Sequence, residues 1–218
     1  MQPESRWLTD AALGCGVMLS EWQADGLLRY MDLLQRWNAT YNLTAVRERS
    51  AMLTQHLLDC IAIVPALRRA MPDGGRVLDV GSGGGLPGVV IAALMPHTLV
   101  CCVDAVGKKA AFVQQVSATL PLPRLSSAHS RVESFQHAPF DLITARAFGD
   151  LADFVRLTRR LLAPGGQWLA MKGKVPDKEM AEVPADIEVF HVERLDIPGL
   201  DAERCLVWMR MVAGAKPR

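Results

Sequence analysis

The stretch Val77-Leu78-Asp79-Val80-Gly81-Ser82-Gly83-Gly84-Gly85-Leu86-Pro87-Gly88 holds the residue types best suited to binding a ligand. A short apolar run enters glycines, which permit positive φ and let a ligand approach the backbone. Gly83, Gly85 and Gly88 form a Gly-x-Gly-x-x-Gly match, which alone fits a nicotinamide or flavin equally well. Two acids shift the choice. Asp79 stands two residues before the first glycine, where a carboxylate suits a cationic ligand end better than a pyrophosphate. It could equally accept N–H bonds from the glycine turn, and the two roles are compatible. Asp104 follows 25 residues later at the end of the next strand, placed to accept both hydroxyls of a ribose. A ligand with a ribose and a positive amino-acid end is S-adenosylmethionine.

Positioning these acids requires strands that end at one edge of a sheet. The first 70 residues read as helix. Ser20 and Gln23 match a capping box, and Leu27, Tyr30, Met31, Leu34 and Trp37 follow at helical spacing. Asn38 to Asn42 should break that helix. A second helical stretch begins after Ser50, with Leu53, Leu57, Ile61 and Val64 on one face, and Pro65 should end or kink it. From Arg76 the period changes. Val77 to Val80, Thr98 to Val103, Leu125 to Ala128, Phe140 to Ala145 and Gln167 to Met171 read as strands. Pro87 to Met95, Gly107 to Leu120 and Leu151 to Leu162 read as helices between them, and Pro164-Gly165-Gly166 reads as a turn. Alternation of this kind implies βαβ units in a mostly parallel sheet. Ile187 to Val192 and Cys205 to Met211 lack a helix between them and predict an antiparallel hairpin. This layout resembles the class I methyltransferase fold, Rossmann-like, with seven strands. The expected organisation is an N-terminal helical extension over residues 1–72, packed on a methyltransferase domain over residues 73–218.

Composition agrees with a globule: half of the 218 residues are hydrophobic and 22% are charged. No apolar run approaches the length that spans a bilayer, and the first residues do not read as a secretory signal. The five cysteines show no Cys-x-x-Cys spacing, which speaks against a zinc site or a disulfide framework and fits a reducing cytoplasm. Cys101 and Cys102 sit inside a strand and read as packing. Net charge is +1, yet residues 177–203 hold nine acids and two bases, so the remainder carries +8. That leaves room for a basic face despite the neutral total, though ordinary surface scatter reads the same way.

Five ordered motifs make a more specific resemblance. They are Trp37-Asn38-Ala39-Thr40-Tyr41-Asn42-Leu43-Thr44, His56-Leu57-Leu58-Asp59, the Gly81–Gly88 loop, Ala145-Arg146-Ala147-Phe148 and Met171-Lys172-Gly173. Together they resemble the glucose-inhibited division protein B family, from about Ser20 to Met211. The resemblance implies a methyltransferase acting on guanine N7 in the 530 loop (position 527) of 16S rRNA. It also implies that Gly81, Leu86, Val132, Glu133 and Arg146 line the cofactor site, beside Asp79, Gly83, Gly85 and Asp104. Ala105 departs from the small polar residue expected after Asp104.

Each of these residues also has a plainer reading. Ser130 to Glu133 fits a capping box, which would explain Glu133 without a ligand. Arg146 could be a strand-end surface ion pair, and Asn42 a turn residue. His56 and Asp59, three apart on a helix face, could form a structural hydrogen bond. In the functional reading Arg146, Asn42 and His56 position the substrate, and no residue acts as general base. Guanine N7 carries a lone pair and no proton, so positioning and electrostatics suffice. No Asn-Pro-Pro-Tyr-like motif follows the fourth strand, as amino-group methylation would suggest. Tyr41, Phe148 and Arg146 are candidates to stack on a splayed base. Arg36, Arg47, Arg49, Lys108, Lys109, Lys172 and Lys174 are candidates for the RNA backbone. A different methyl acceptor, a nicotinamide enzyme and a non-catalytic RNA binder remain the alternatives. Naked RNA and small-subunit assembly intermediates are both open as the partner.

Overall fold

The computed structural model describes residues 3–212. Helices α1 (Pro3–Gly14) and α2 (Glu21–Tyr41) come first, and the Ser20/Gln23 capping box opens α2 as expected. The break expected from Asn38 does not occur. Asn38 stays helical and buried, and its amide holds the following loop: Oδ1 accepts the Thr44 N–H at 2.9 Å and Nδ2 donates to the Val46 carbonyl at 3.3 Å. The helix ends instead at Asn42, a left-handed C-cap with φ 50°.

Next come α3 (Arg49–Met52), a π-helical stretch over Leu53–Leu58, α4 (Asp59–Ile61) and α5 (Val64–Ala70). Pro65 lies in the first turn of α5, so it starts a helix rather than ending one. Contrary to expectation, Arg49–Ala70 is long and apolar enough by length and composition to cross a membrane. Its most apolar window is 72% buried inside the protein, so that character serves the core.

The sheet comprises β1 (Arg76–Val80), β2 (Leu99–Asp104), β3 (Leu125–His129), β4 (Phe140–Arg146), β5 (Leu162–Lys172), β6 (Ile187–Leu195) and β7 (Arg204–Met211), in the order β3-β2-β1-β4-β5-β7-β6. The first five pair in parallel, and β7 runs antiparallel between β5 and β6. Helices α6 (Gly88–Leu94), α7 (Gly107–Thr119) and α8 (Leu151–Thr158) connect the parallel strands, and α9 (Asp177–Ala181) precedes the hairpin. Pro164-Gly165-Gly166 is a bulge within β5 and not a turn before it. Phe140 pairs with Leu162 and Leu142 with Gln167, so the register skips residues 163–166.

Strand alternation divides two cores. Val77 and Cys102 join one with the N-terminal helices, α6 and α7; Leu78, Val80 and Cys101 join the other beneath α8. The N-terminal helices therefore share a core with the sheet. Tyr30 in α2 adds a polar tie, its hydroxyl donating to the Gly84 carbonyl at 2.5 Å. The same alternation sends Asp79 under the glycine loop. It is 0% exposed, and Oδ2 accepts the Gly88 N–H at 2.8 Å, while Oδ1 has no hydrogen-bond partner among the described residues. Asp79 thus braces the first turn of α6, and the expected contact with a cationic ligand end gives way to its structural role.

Burial pushes the Asp79 carboxyl up to about 7. In the unfolded chain an aspartate titrates near about 4. The native state therefore holds this proton more tightly, and the contribution to stability is present at low pH and lost as pH rises through about 7. Asp79→Asn keeps an acceptor for Gly88 and removes the buried charge. Thermal melting should show the variant more stable than wild type near about pH 8, with the gap closing toward about pH 4. An identical gap at both ends of that range rejects the assignment.

Candidate active site

The parallel strands β1 and β4 diverge in connectivity at their C-terminal ends, the place where open α/β sheets bind ligands. A cleft of about 620 Å³ lies there. Gly81 to Gly84 and Leu86 form its floor, Gln55, His56 and Asp59 one wall, and Arg146, Met171 and Lys172 another. A second cavity of about 340 Å³ shares Gly81, Lys109 and Ala147 with it and is lined by Asp104, Val132, Glu133 and Phe148. Gly81, Gly83 and Gly85 all have positive φ (65°, 56° and 83°), so the turn itself demands glycine. Gly85 lines neither space: a Cβ there would meet Val89 Cγ2 at 2.6 Å, so its role is close packing of α6.

Asp104 is 6% exposed at the end of β2. Its Oδ2 accepts the Gly83 N–H at 2.9 Å and its Oδ1 the Val106 N–H at 2.8 Å. A carboxylate has about four lone-pair sites, so acceptor capacity remains toward the second cavity. Val132 and Glu133 belong to a one-turn 3-10 helix, Val132–Ser134. The capping box expected to account for Glu133 does not form. The Ser130 hydroxyl donates to the Arg131 carbonyl at 2.9 Å, and Arg160 steadies the turn from outside through the Val132 carbonyl at 2.6 Å. Glu133 is left exposed on the cavity wall. Ala105 lines the same cavity and adds no side-chain hydrogen bond.

On the opposite side the π stretch and the start of α4 bring Gln55, His56 and Asp59 to the main cleft. His56 Nε2 lies 2.6 Å from Thr44 Oγ1, and Nδ1 lies 3.5 Å from Arg146 Nη1. Burial first, and the Arg146 charge second, lower the His56 pKa, so the ring is neutral near pH 7. Asp59, 3% exposed, stands between two guanidiniums: Oδ2 is 3.3 Å from Arg146 Nη1 and Oδ1 is 2.8 Å from Arg204 Nε. Arg146 Nη1 also donates to the Gln55 carbonyl at 3.2 Å.

Several expected roles change. Asn42 lines neither space; its Oδ1 accepts from Arg47 Nη2 at 3.0 Å, so it serves the turn. Lys172 lines the cleft but is tied internally, to Glu179 at 2.7 Å and to the Gly149 carbonyl at 3.0 Å. Arg49 is paired with Glu4 at 2.8 Å and Asp32 at 3.0 Å. Arg36, Lys108 and Lys174 are exposed, and Lys109 borders both spaces. Phe148 packs edge-on against Phe154 at 5.9 Å above Gly81, and the exposed Tyr41 lies against Trp37 at 5.1 Å. Cys101 and Cys102 are buried, as expected, with thiol pKa values raised by burial. Arg204 is not singled out by the sequence, and Thr44 enters only within a motif, with no role of its own. Arg204 begins β7 one residue before the strand predicted from sequence, and only the sheet's order brings it to Asp59.

Comparison with known proteins completes the picture. A solved SAM-dependent methyltransferase of Aquifex aeolicus aligns with a TM-score of 0.56 at 15% identity, covering 74% of this chain and 93% of its own. A SAM-dependent methyltransferase of Geobacter sulfurreducens, solved with S-adenosyl-L-homocysteine, aligns at 0.52 and 14% identity, covering 68% and 90%. These likenesses establish the class I methyltransferase fold. Ribosomal RNA small subunit methyltransferase G of Leptothrix cholodnii is 57% identical over 211 residues, 96% of this chain and 97% of that protein. The protein of the same name from Acidovorax sp. strain JS42 is 54% identical over 215 residues, 94% and 95% of the two chains. The family model described as rRNA small subunit methyltransferase G matches residues 23–207. With that match running from α2 into β7, and relatives above half identity over nearly the whole chain, the protein belongs to the rRNA small subunit methyltransferase G family.

Proposed function

We propose that this chain transfers a methyl group from S-adenosylmethionine to N7 of a guanine in the 530 loop of 16S rRNA. Family membership supports methyl transfer to small-subunit ribosomal RNA. The motifs around Asn42, His56, Arg146 and Lys172 support the finer choice of acceptor. The observation that carries the mechanism is the engagement of the two side chains of the main cleft, Asp59 and His56, that could act as bases. Asp59 is held by two guanidiniums, and His56 lies between the Thr44 hydroxyl and Arg146. Such a site orients an acceptor that carries no proton, and guanine N7 is one.

The residues present fit S-adenosylmethionine. The second cavity offers Asp104 for the ribose hydroxyls, the apolar Val132 for a face of the adenine and Glu133 for its amino edge. Gly81 is common to both spaces, so a ligand can pass from one to the other over its backbone. A Cβ on Gly81 would come within 3.2 Å of Phe148. Held there, S-adenosylmethionine would supply the methyl group. The chain itself positions the guanine beside Arg146, excludes water with Leu34, Leu43 and Met171, and keeps His56 neutral beside a base that becomes cationic.

Asp104→Asn retains one acceptor and loses the charge. Calorimetric titration should show S-adenosylmethionine affinity weakened about 10- to 100-fold, the loss of roughly 1.5–3 kcal/mol for a charge-assisted hydrogen bond. Unchanged affinity removes Asp104 from the cofactor site. A second measurement addresses the acceptor atom. With both substrates saturating, the single-turnover rate should stay nearly flat from about pH 6.5 to 8.5, because N7 carries no proton to lose, and Asp79, pushed up to about 7, is buried beneath the loop and bonded to Gly88. Burial lowers the His56 pKa, which moves its titration toward the acid side of that window. A tenfold rise per pH unit, abolished by His56→Ala, would show a proton acceptor at work and a different target atom.

A further inference from the structure

Asp59 is nearly inaccessible and divides its two oxygens between Arg146 and Arg204. One carboxylate between two guanidiniums leaves a net positive charge in the cleft wall. The hydrogen bonds of Arg146 all run through Nη1, to Gln55, His56 and Asp59, so Nε and Nη2 have no acceptor among the described residues. Arg204 uses Nε for Asp59 and Nη1 for the Glu203 carbonyl, so its Nη2 likewise has no acceptor among them. Both side chains keep about a quarter of their surface open, 23% and 24%. Two fixed guanidiniums with donors to spare, on one wall, match an oxyanion with several acceptor atoms.

A second observation gives this charge a direction. Arg204 and Gly173 border the main cleft and also a neighbouring cavity of about 260 Å³ that includes Lys174 and Arg194. The boundary between the cleft and that cavity therefore includes an arginine, with two more cations on its far side. Asp177 and Glu203 line the same cavity, so it is no general polyanion trough, and charge selection concentrates at Arg204.

We propose that Arg146 and Arg204, braced by Asp59, form a phosphate subsite that grips one phosphodiester of the RNA beside the methylated nucleotide, with the strand leaving past Gly173 toward Lys174 and Arg194. This rests on the reading of the cleft as the entry of an RNA nucleotide. Asp59 is a positioning residue here: it fixes the separation of two guanidiniums that would otherwise repel, so they meet a phosphate without reorganising. The arginine supplied by β7 makes the C-terminal hairpin part of the substrate site.

The test pairs protein variants with RNA in which single phosphates near the target guanine are replaced by uncharged methylphosphonates. Wild-type chain should lose about 10- to 100-fold in RNA affinity at one such position, the loss of a charge-assisted contact. Arg204→Gln should bind unmodified RNA weaker by a similar factor and show little further loss at that position. Arg204→Lys, which keeps the charge and the pairing to Asp59, should recover part of the affinity. The slope of log K against log salt should shrink by about 0.7 for Arg204→Gln on a single-stranded fragment. S-adenosylmethionine affinity, titrated separately, should hold, which shows the fold intact. If no methylphosphonate position weakens wild-type binding, or Arg204→Gln responds to it as strongly as wild type, the subsite is refuted with no appeal to variant folding. A wild-type chain that binds S-adenosylmethionine but methylates no RNA instead refutes the reading of the substrate, and the subsite with it.

Discussion

Helix α6 begins where there is no room for a side chain. A Cβ on Gly88 would stand 2.3 Å from Cys102 Sγ and 2.9 Å from Asp79 Oδ2, distances real side chains do not reach. That contact presses the first turn of α6 onto β1 and β2, with the Gly88 N–H held by the buried carboxylate. The chain between Val80 and Gly88 must then rise over the strand ends and return within a few residues, through three glycines at positive φ. The floor of the cleft is the result. Were α6 set further from the sheet, the loop could relax to ordinary backbone angles and the shared edge at Gly81 would close or shift.

Around this floor the site draws on distant parts of the chain. The π-helical stretch supplies His56, α4 supplies Asp59, β4 supplies Arg146 and β7 supplies Arg204. None of these is rigid alone: a π-helical turn is intrinsically less favourable than an α-helical one, and an arginine at a strand end has many rotamers. Mutual hydrogen bonding fixes them. Because Asp59 is buried, loss of either guanidinium leaves its charge less compensated, so the constellation holds as a unit. Thr44 joins it through a loop that the Asn38 amide ties down from the preceding helix.

The parallel sheet was readable because its signals are local. A change of period at Arg76, glycines after β1 and alternating helices place β1 to β4 closely and find β5 with its start set too late, and the lack of a helix between β6 and β7 marks the antiparallel pair. The failures share a cause as well. Asn38 to Asn42 carries turn-forming residues, yet one of them found better partners as a helical amide, a tertiary bond that propensity does not contain. Pro65 is compatible with both the end and the start of a helix, and packing chose the start. At the site, Asp104 and the glycines were legible because chemistry and strand position coincide. Asp79 had two compatible readings from sequence, and alternation along β1 selected the buried one. Arg204 had no local signal at all, since its importance arises only when β7 inserts beside β5 with its first residue facing α4.

The Tyr30 hydroxyl, bonded to the carbonyl of Gly84, joins the helical N-terminal part to the one loop that shapes the cleft. The phenol is fully buried, and its pKa is raised well above the ordinary value by that burial. Such a bond removes modularity. The N-terminal helices cannot be treated as a cassette to be exchanged for those of another methyltransferase, or grafted onto a bare sheet as a targeting appendage. A chimera would need to carry a donor at this place and an apolar surface matching Leu34 against Gly84, where a Cβ would already lie within 3.0 Å. Divergence in the two parts is thereby coupled, and a change in the helical part has a direct route to the geometry of the loop.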